Sequence, residues 1–292
     1  KQTGTTPIHS WTRGGGSRGT RPGMRVLLLS AYFWTAAALL GSDAKLPEGL
    51  AGRLRLFKEK GFHPTSIIDA GANAGEWTEL VRQVWPRSSY FIIEANPRYA
   101  ATYKSRGWKH AIALLGDASK NVTMHMDKRR NTQTGNSIFP ETLPSSQRFF
   151  VPKTMQMSTL DDILRTNGVP PPQLLKLDVQ GAELLALAGA KQTLQSVEMI
   201  ELELSVQPYN KGAPLWFEVH MILERLGYQL YDIPEVHYSR IWRNLEQQGL
   251  SGHLSQVDVI FVRKDSSLWS RLVTRFEPPE KWPSFTCTKN PD

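Results

Sequence analysis

The chain alternates short apolar runs, most of them ending on an acid or a glycine, with stretches whose apolar positions recur every three to four residues. Ile67 and Ile68 run into Asp69, and beyond a glycine-rich turn Trp77, Leu80, Val81 and Val84 share one helical face until Pro86 stops the pattern. This predicts a buried strand that turns sharply into an amphipathic helix. Upstream, residues 45–64 predict a helix with Leu50, Leu54 and Phe57 on one face, ended by Gly61 and Pro64. Downstream, residues 89–93 predict a strand ending at Glu94, residues 98–107 a helix, and residues 110–115 a third strand ending at Gly116 and Asp117. Residues 127–148 are polar, with Gly135, Pro140 and Pro144, and read as a long lid-like loop over the sheet edge.

The second half repeats the alternation. Residues 159–164 predict a short helix capped by Ser158 with Asp161 three residues on. Residues 174–177 predict a strand ending at Asp178, then a helix with Leu184, Leu185, Leu187 and Ala188 inward. Residues 197–204 predict a strand that carries Glu201 and Glu203. A helix from Pro214 places Leu215, Val219, Ile222, Leu223 and Leu226 inward and ends at Gly227. Strands at 228–233 and 257–262 close the pattern around a polar insertion at 234–256. Strands alternating with helices, without an internal repeat, predict one α/β domain with a doubly wound sheet.

Charge changes this picture little. The formal net charge is +8, but Lys1, Arg13, Arg18, Arg21 and Arg25 lie in the first 25 residues, which hold no acid; subtracting them leaves +3. A folded part so near neutrality gives no phosphate-tracking surface, and a nucleic-acid partner is not expected. Residues 1–23, rich in Gly, Thr and Arg, read as disordered. Residues 26–40 carry no charge, and at that length, against about 20 for a bilayer span, residues 24–44 read as a signal peptide or short membrane anchor. The alternative is an apolar helix packed on the domain. Membrane-associated or secretory-pathway localisation is favoured over a cytoplasmic one, and residues 45–292 form the folded domain. The single cysteine, Cys287, excludes an intrachain disulfide and a multi-thiolate zinc site.

The candidate chemistry starts at the glycine turn. Asp69, Gly71, Asn73 and Gly75 follow at every second position, whereas the dinucleotide fingerprint counted from Gly71 would need glycine where Asn73 and Glu76 stand. Nicotinamide and flavin cofactors are disfavoured, and a glycine turn without ligand is the bland alternative. The spacing looks like motif I of the class I S-adenosylmethionine methyltransferases. Glu94, at the tip of the next strand, is placed to accept from ribose hydroxyls, and Asp117 from an adenine amino group.

Three separated blocks then agree with one family: IDAGANAGEWT at 68–78, LLKLDVQGAELLALAGA at 174–190 and QVDVIFVR at 256–263. The chain resembles the FkbM-type S-adenosylmethionine-dependent methyltransferases over roughly residues 50–264. The resemblance implies a class I, Rossmann-like sheet of about seven strands with the last antiparallel, S-adenosylmethionine as methyl donor, and a hydroxyl acceptor on a glycan, lipid or secondary metabolite. It implies cofactor binding by Asp69, Gly71, Asn73, Gly75, Glu94 and Asp117. The family usually has Glu where this chain has Gln180, so no catalytic carboxylate stands there.

Methyl transfer to oxygen needs alignment and a base. Asp178 and Glu203, at the ends of neighbouring strands, are the candidate catalytic residues, with His237 and His253 in the insertion as weaker ones. Glu183 starts a helix and is read as complementing its dipole. Their spacing gives no reason to place a metal between Asp178 and Glu203. The competing reading, for which Gln180 is the hint, is a catalytically silent S-adenosylmethionine- or nucleotide-binding interaction module.

Overall fold

A computed structural model describes residues 49–129, 135–142, 147–238 and 254–273. Ser66–Ala70 (β1) is fully buried and hydrogen-bonded on both sides, by Ser89–Glu94 (β2) and by Leu174–Leu177 (β7), each in parallel register. A strand buried on both faces reads as an apolar run rather than an alternation, which is why 66–70 and 174–177 are so hydrophobic. Its alternate residues feed two cores. Ile68 and Ala70 pack with Phe91, Ile93, Leu175, Leu177 and Leu202 on one face, and Ile67 with Trp77, Val81, Tyr90 and Met199 on the other.

The main sheet has seven strands in the order β3-β2-β1-β7-β8-β10-β9, where β3 is His110–Ile112, β8 Met199–Ser205, β9 Tyr228–Tyr238 and β10 Leu254–Arg263. Strand β10 runs antiparallel to both β8 and β9. The order reverses beside β1, so the crevice beyond the ends of β1 and β7 is the topological switch point where ligands bind in such sheets. Helices cover both faces: Gly49–Glu59 (α1), Glu76–Val84 (α2), Ala100–Ser105 (α3), Leu160–Thr166 (α4), Glu183–Ala188 (α5), Trp216–Arg225 (α6) and Ser267–Leu272 (α7). Leu54, Phe57 and Val81, fully or almost fully buried on α1 and α2, each contribute roughly 1.5–3 kcal/mol of apolar burial.

Several expectations change. The run 110–115 is not one strand: after Ile112 the chain leaves the main sheet, and Leu114–Leu115 (β4) pairs with Phe150–Ser158 (β6). Strand β6 also pairs antiparallel with Lys120–Asp127 (β5), giving a second, three-stranded sheet that the polar sequence did not announce. The lid-like loop lies between β5 and β6, at 128–149 rather than 127–148, and the stretch 135–142 within it is tied down. Ser137 exchanges backbone hydrogen bonds with His125, and Lys211 N–H donates to the Pro140 carbonyl.

Helix α4 is capped by Thr159 rather than Ser158, its hydroxyl accepting from Asp162 N–H, because Ser158 is the last residue of β6. Ala188 and Leu226 are exposed, while Ala186, Leu187 and Leu223 on the same two helices are buried. The hairpin of β9 and β10 extends to Tyr238 and Leu254, so the insertion shrinks to 239–253. Residues 1–23, the segment 24–44, His253 and Cys287 lie outside the described residues. Among the described residues no helix is long and apolar enough to cross a membrane.

Candidate functional site

The turn after β1 is built from left-handed residues: Gly71, Asn73 and Gly75 have φ of +80°, +50° and +86°. Glycine reaches that region without the clash that burdens other residues, and asparagine tolerates it. A Cβ on Gly71 would stand 1.7 Å from the Asp178 carbonyl oxygen, and one on Gly75 would stand 2.3 Å from the Trp108 ring. The turn is thus pressed between the end of β7 and the residues after α3. Glu94 fixes it from the β2 tip: its two carboxylate oxygens accept from Asn73 N–H at 2.8 Å and Asn96 N–H at 2.7 Å. The Tyr103 hydroxyl donates to the Asn73 carbonyl.

Of these residues Gly71, Asn73 and Glu94 line a cleft enclosing about 630 Å³ of space open to solvent. Gly71, Asn73, Glu94, Tyr99, Asp178 and Gln180 give it polar and backbone groups, while Ile93, Leu114, Leu115, Met124 and Val179 form apolar walls. The cleft accommodates S-adenosylmethionine on its own features. Gly71 brings side-chain-free backbone to the cleft wall, an apolar slot suits a purine, and Glu94 retains acceptor capacity beyond its two amide bonds. Burial raises the Glu94 carboxyl pKa, opposed by those amide bonds.

The remaining cofactor candidates lie elsewhere. Asp69 is buried behind the turn, where it accepts from the Thr78 hydroxyl at 2.6 Å and lies 3.7 Å from the Lys176 ammonium. It ties α2 to β1. Gly75 opens α2 as its N-cap. Asp117 pairs with Lys120 at 2.8 Å and is not among the cleft-lining residues, because the chain has already turned into the small sheet.

Asp178 lines the cleft, and Glu203 reaches it through one side chain. The Gln180 amide nitrogen donates to Asp178 at 2.7 Å and to Glu203 at 2.6 Å. Gln180 itself has φ +52°, and its carbonyl accepts from Ser137 at 2.6 Å, so segment 135–142 holds this turn. The two carboxyls are pushed apart in acidity. Burial raises Asp178, but the Lys176 ammonium at 3.2 Å and the hydrogen bonds outweigh it and leave the group below its usual range. Burial, then repulsion from Asp178 and Asp258, pushes Glu203 up to about 9. A pair of carboxyls pushed apart in this way can divide the roles of proton acceptor and neutral donor between them.

Glu183 is buried and accepts from Val179 N–H and Gly181 N–H, so it shapes the turn around Gln180 rather than complementing a dipole from outside. His237 is described, with Nε2 2.9 Å from Asp258 Oδ2. Tyr99, Met124 and Gln180 are cleft residues that sequence reasoning did not assign. Gln180 carried a signal, as the odd residue in the most specific block; Met124 carried none.

Residues 69–230, more than half of the chain, match the family described as "Methyltransferase FkbM domain". Among curated proteins the chain is similar to the 2-O-methyltransferase NoeI of Sinorhizobium fredii (strain NBRC 101917 / NGR234), with 28% identity over 159 residues, covering 50% of this chain and 65% of that protein. The chain thus spans slightly less than two thirds of that relative's length. Among solved structures it is similar to Methyltransferase FkbM from Methylobacillus flagellatus KT, at 14% identity and a TM-score of 0.39, covering 67% of this chain and 43% of that one. It is also similar to cofactor-bound Rv0187 from MTB, at 14% identity and a TM-score of 0.42, covering 86% of this chain and 100% of that one. With its domain matched from Asp69 onward and its sheet in the order described, the chain belongs to the FkbM methyltransferase family, whose cofactor is S-adenosylmethionine.

Proposed function

We propose that the chain is an O-methyltransferase that acts on a hydroxyl of a glycan, lipid or secondary metabolite. The observation that carries this reading is the pair of unlike carboxyls beside the glycine cradle, Asp178 held ionised and Glu203 held protonated, bridged by Gln180. The name of the relative, a 2-O-methyltransferase, supports oxygen as the acceptor atom.

S-adenosylmethionine supplies an electrophilic methyl group on a sulfonium, so the chain's own residues have only to bind, align and move one proton. In this reading Gly71 and Asn73 offer backbone to the cofactor and Glu94 accepts from the ribose hydroxyls. Asp178 accepts the proton of the attacking hydroxyl as the new carbon–oxygen bond forms and the carbon–sulfur bond breaks. Glu203, neutral at pH 7, orients the acceptor by donating to it. Walls such as Leu114 and Met124 exclude water from the reacting centre. Residues 24–44 would bring the domain to a membrane, which fractionation with and without that segment tests.

The deciding experiment pairs calorimetry with isotope transfer from methyl-labelled S-adenosylmethionine into pools of glycans, lipids and polyhydroxylated metabolites. Asp178→Asn and Glu203→Gln should keep cofactor affinity and reduce transfer by about a hundredfold or more, the scale of general acid–base catalysis. Tight cofactor binding by wild type with no transfer into any pool would favour a silent binding module.

A further inference from the structure

Strands β8, β10 and β9 lie side by side at one end of the main sheet, and their register sets acid against acid. Glu203 faces Asp258, and Asp258 faces Glu235 on its other side. Directly opposed residues on antiparallel strands project from the same face, and like charges so placed are destabilising. Among the described residues, neither Glu203 nor Asp258 forms an ion pair with a lysine or arginine. Glu203 is met by the neutral amides of Gln180 and Gln256, at 2.6 and 3.1 Å. Asp258 is met by the His237 imidazole. His237 sits two residues beyond Glu235 on β9, so it shares their face. One ligand-type atom from each of Glu203, His237 and Asp258 lies within 4.8 Å of the others.

We propose that Glu203, His237 and Asp258 form a binding site for a divalent transition-metal ion of the Mn²⁺ or Zn²⁺ kind. Two carboxylates and one imidazole are a mixed oxygen and nitrogen set, which suits these ions better than Mg²⁺ or Ca²⁺, whose sites are built from oxygen. The spacing agrees. Ligands about 2.1 Å from a metal and at right angles are about 3.0 Å apart, and opposite ones about 4.2 Å. His237 Nε2 and Asp258 Oδ2, at 2.9 Å, already have the first spacing, and side-chain rotation of less than an ångström brings Glu203 to the second. A bound cation would displace the proton that Glu203 otherwise holds and neutralise the opposed carboxylates without a lysine or arginine, so in the loaded site the ion, rather than a neutral Glu203, would orient the acceptor.

The consequence for catalysis rests on the methyltransfer reading, whereas metal binding does not. Three protein donors leave coordination positions for water or for an acceptor hydroxyl, whose acidity the ion would increase beside Asp178.

The test uses the full chain, freed of metal by chelation and without S-adenosylmethionine, titrated with Mn²⁺ alone and followed by calorimetry and electron paramagnetic resonance. Wild type should take up one equivalent. His237→Ala, Asp258→Asn and Glu203→Gln should each weaken uptake by about tenfold or more, at least what losing a group behind the ligands costs. Circular dichroism and thermal unfolding establish that the variants fold, and Asp258→Asn, nearly isosteric, is the variant least prone to misfold. Absence of uptake by wild type for both Mn²⁺ and Zn²⁺ at millimolar concentration overturns the site, as does uptake that the folded variants leave unchanged. Cofactor calorimetry on the same sample keeps the two readings separate. Mn²⁺ uptake without cofactor binding would overturn the methyltransfer reading and leave the metal site standing, and the reverse result would do the opposite.

Discussion

The side-chain nitrogen of Gln180 stands 2.7 Å from Asp178 and 2.6 Å from Glu203, so one neutral amide joins the two acids of the site. A glutamate at 180 would set three carboxyls within hydrogen-bond distance and would need an added proton to replace the amide's donors. Gln180→Glu is therefore expected to cost about 1–3 kcal/mol of stability at pH 8, with much of that loss recovered at pH 6. Urea denaturation at the two pH values checks this. Equal stability of variant and wild type at pH 8 would mean that the amide does not hold the pair together.

Gly71 and Gly107 both have positive φ, but only Gly71 is pressed by neighbours. An added methyl would meet the Asp178 carbonyl oxygen at 1.7 Å, whereas at Gly107 nothing lies within 4 Å. Gly107→Ala should cost about 1–2 kcal/mol, the strain of the left-handed region. Gly71→Ala carries the same strain plus about 1–3 kcal/mol of overpacking between rigid backbones. Thermal unfolding of the two variants side by side gives the comparison.

Glu94 serves both the turn and the cofactor. Glu94→Gln keeps one acceptor oxygen and should weaken S-adenosylmethionine binding by about 1–3 kcal/mol, through loss of charge-assisted bonds. Glu94→Ala also leaves the Asn73 and Asn96 amides without their acceptor, so it should lower the unfolding temperature further than Glu94→Gln does. Calorimetry paired with thermal unfolding separates the two effects.

Glu201 is buried on β8, with Oε1 accepting from the Trp77 indole at 2.7 Å. Burial pushes its carboxyl up to about 8, against the opposing pull of the Lys176 charge and the indole bond. The folded state therefore holds a proton that the unfolded chain releases near the ordinary glutamate value of 4.5. Its contribution to stability is full below that value and declines as pH rises towards 8. Glu183, raised to about 7 mainly by burial, acts in the same direction. Glu201→Gln should flatten the decline between pH 5 and 8, as measured by chemical denaturation across that range. An unchanged slope would remove Glu201 as a contributor.

Much of the fold was legible because it is written in local periodicity. The apolar run at 66–70, the helical spacing of Trp77, Val81 and Val84, and the acids ending β2 and β7 each depend on residues close in the chain. So does the left-handed turn, since Gly71 and Gly75 fill positions that few other residues tolerate. The small sheet was not legible. Strand β5 buries only Met124 and Asp127, and β6 is mostly exposed, so neither shows a clear apolar alternation. Their pairing shows only when the two are laid side by side.

The site divides along the same line. Local order along the chain dictates a strand, a glycine turn and a helix, with acids at the tips of the next strands, because chain geometry forces those positions to converge beyond one sheet edge. Which acid keeps its proton was decided by the tertiary structure. Lys176 beside Asp178, Asp258 opposite Glu203 and Gln180 between the two acids depend on register between strands far apart in the chain. Charge interactions depend on distance in space, and the order of residues along the chain fixes that distance only for near neighbours.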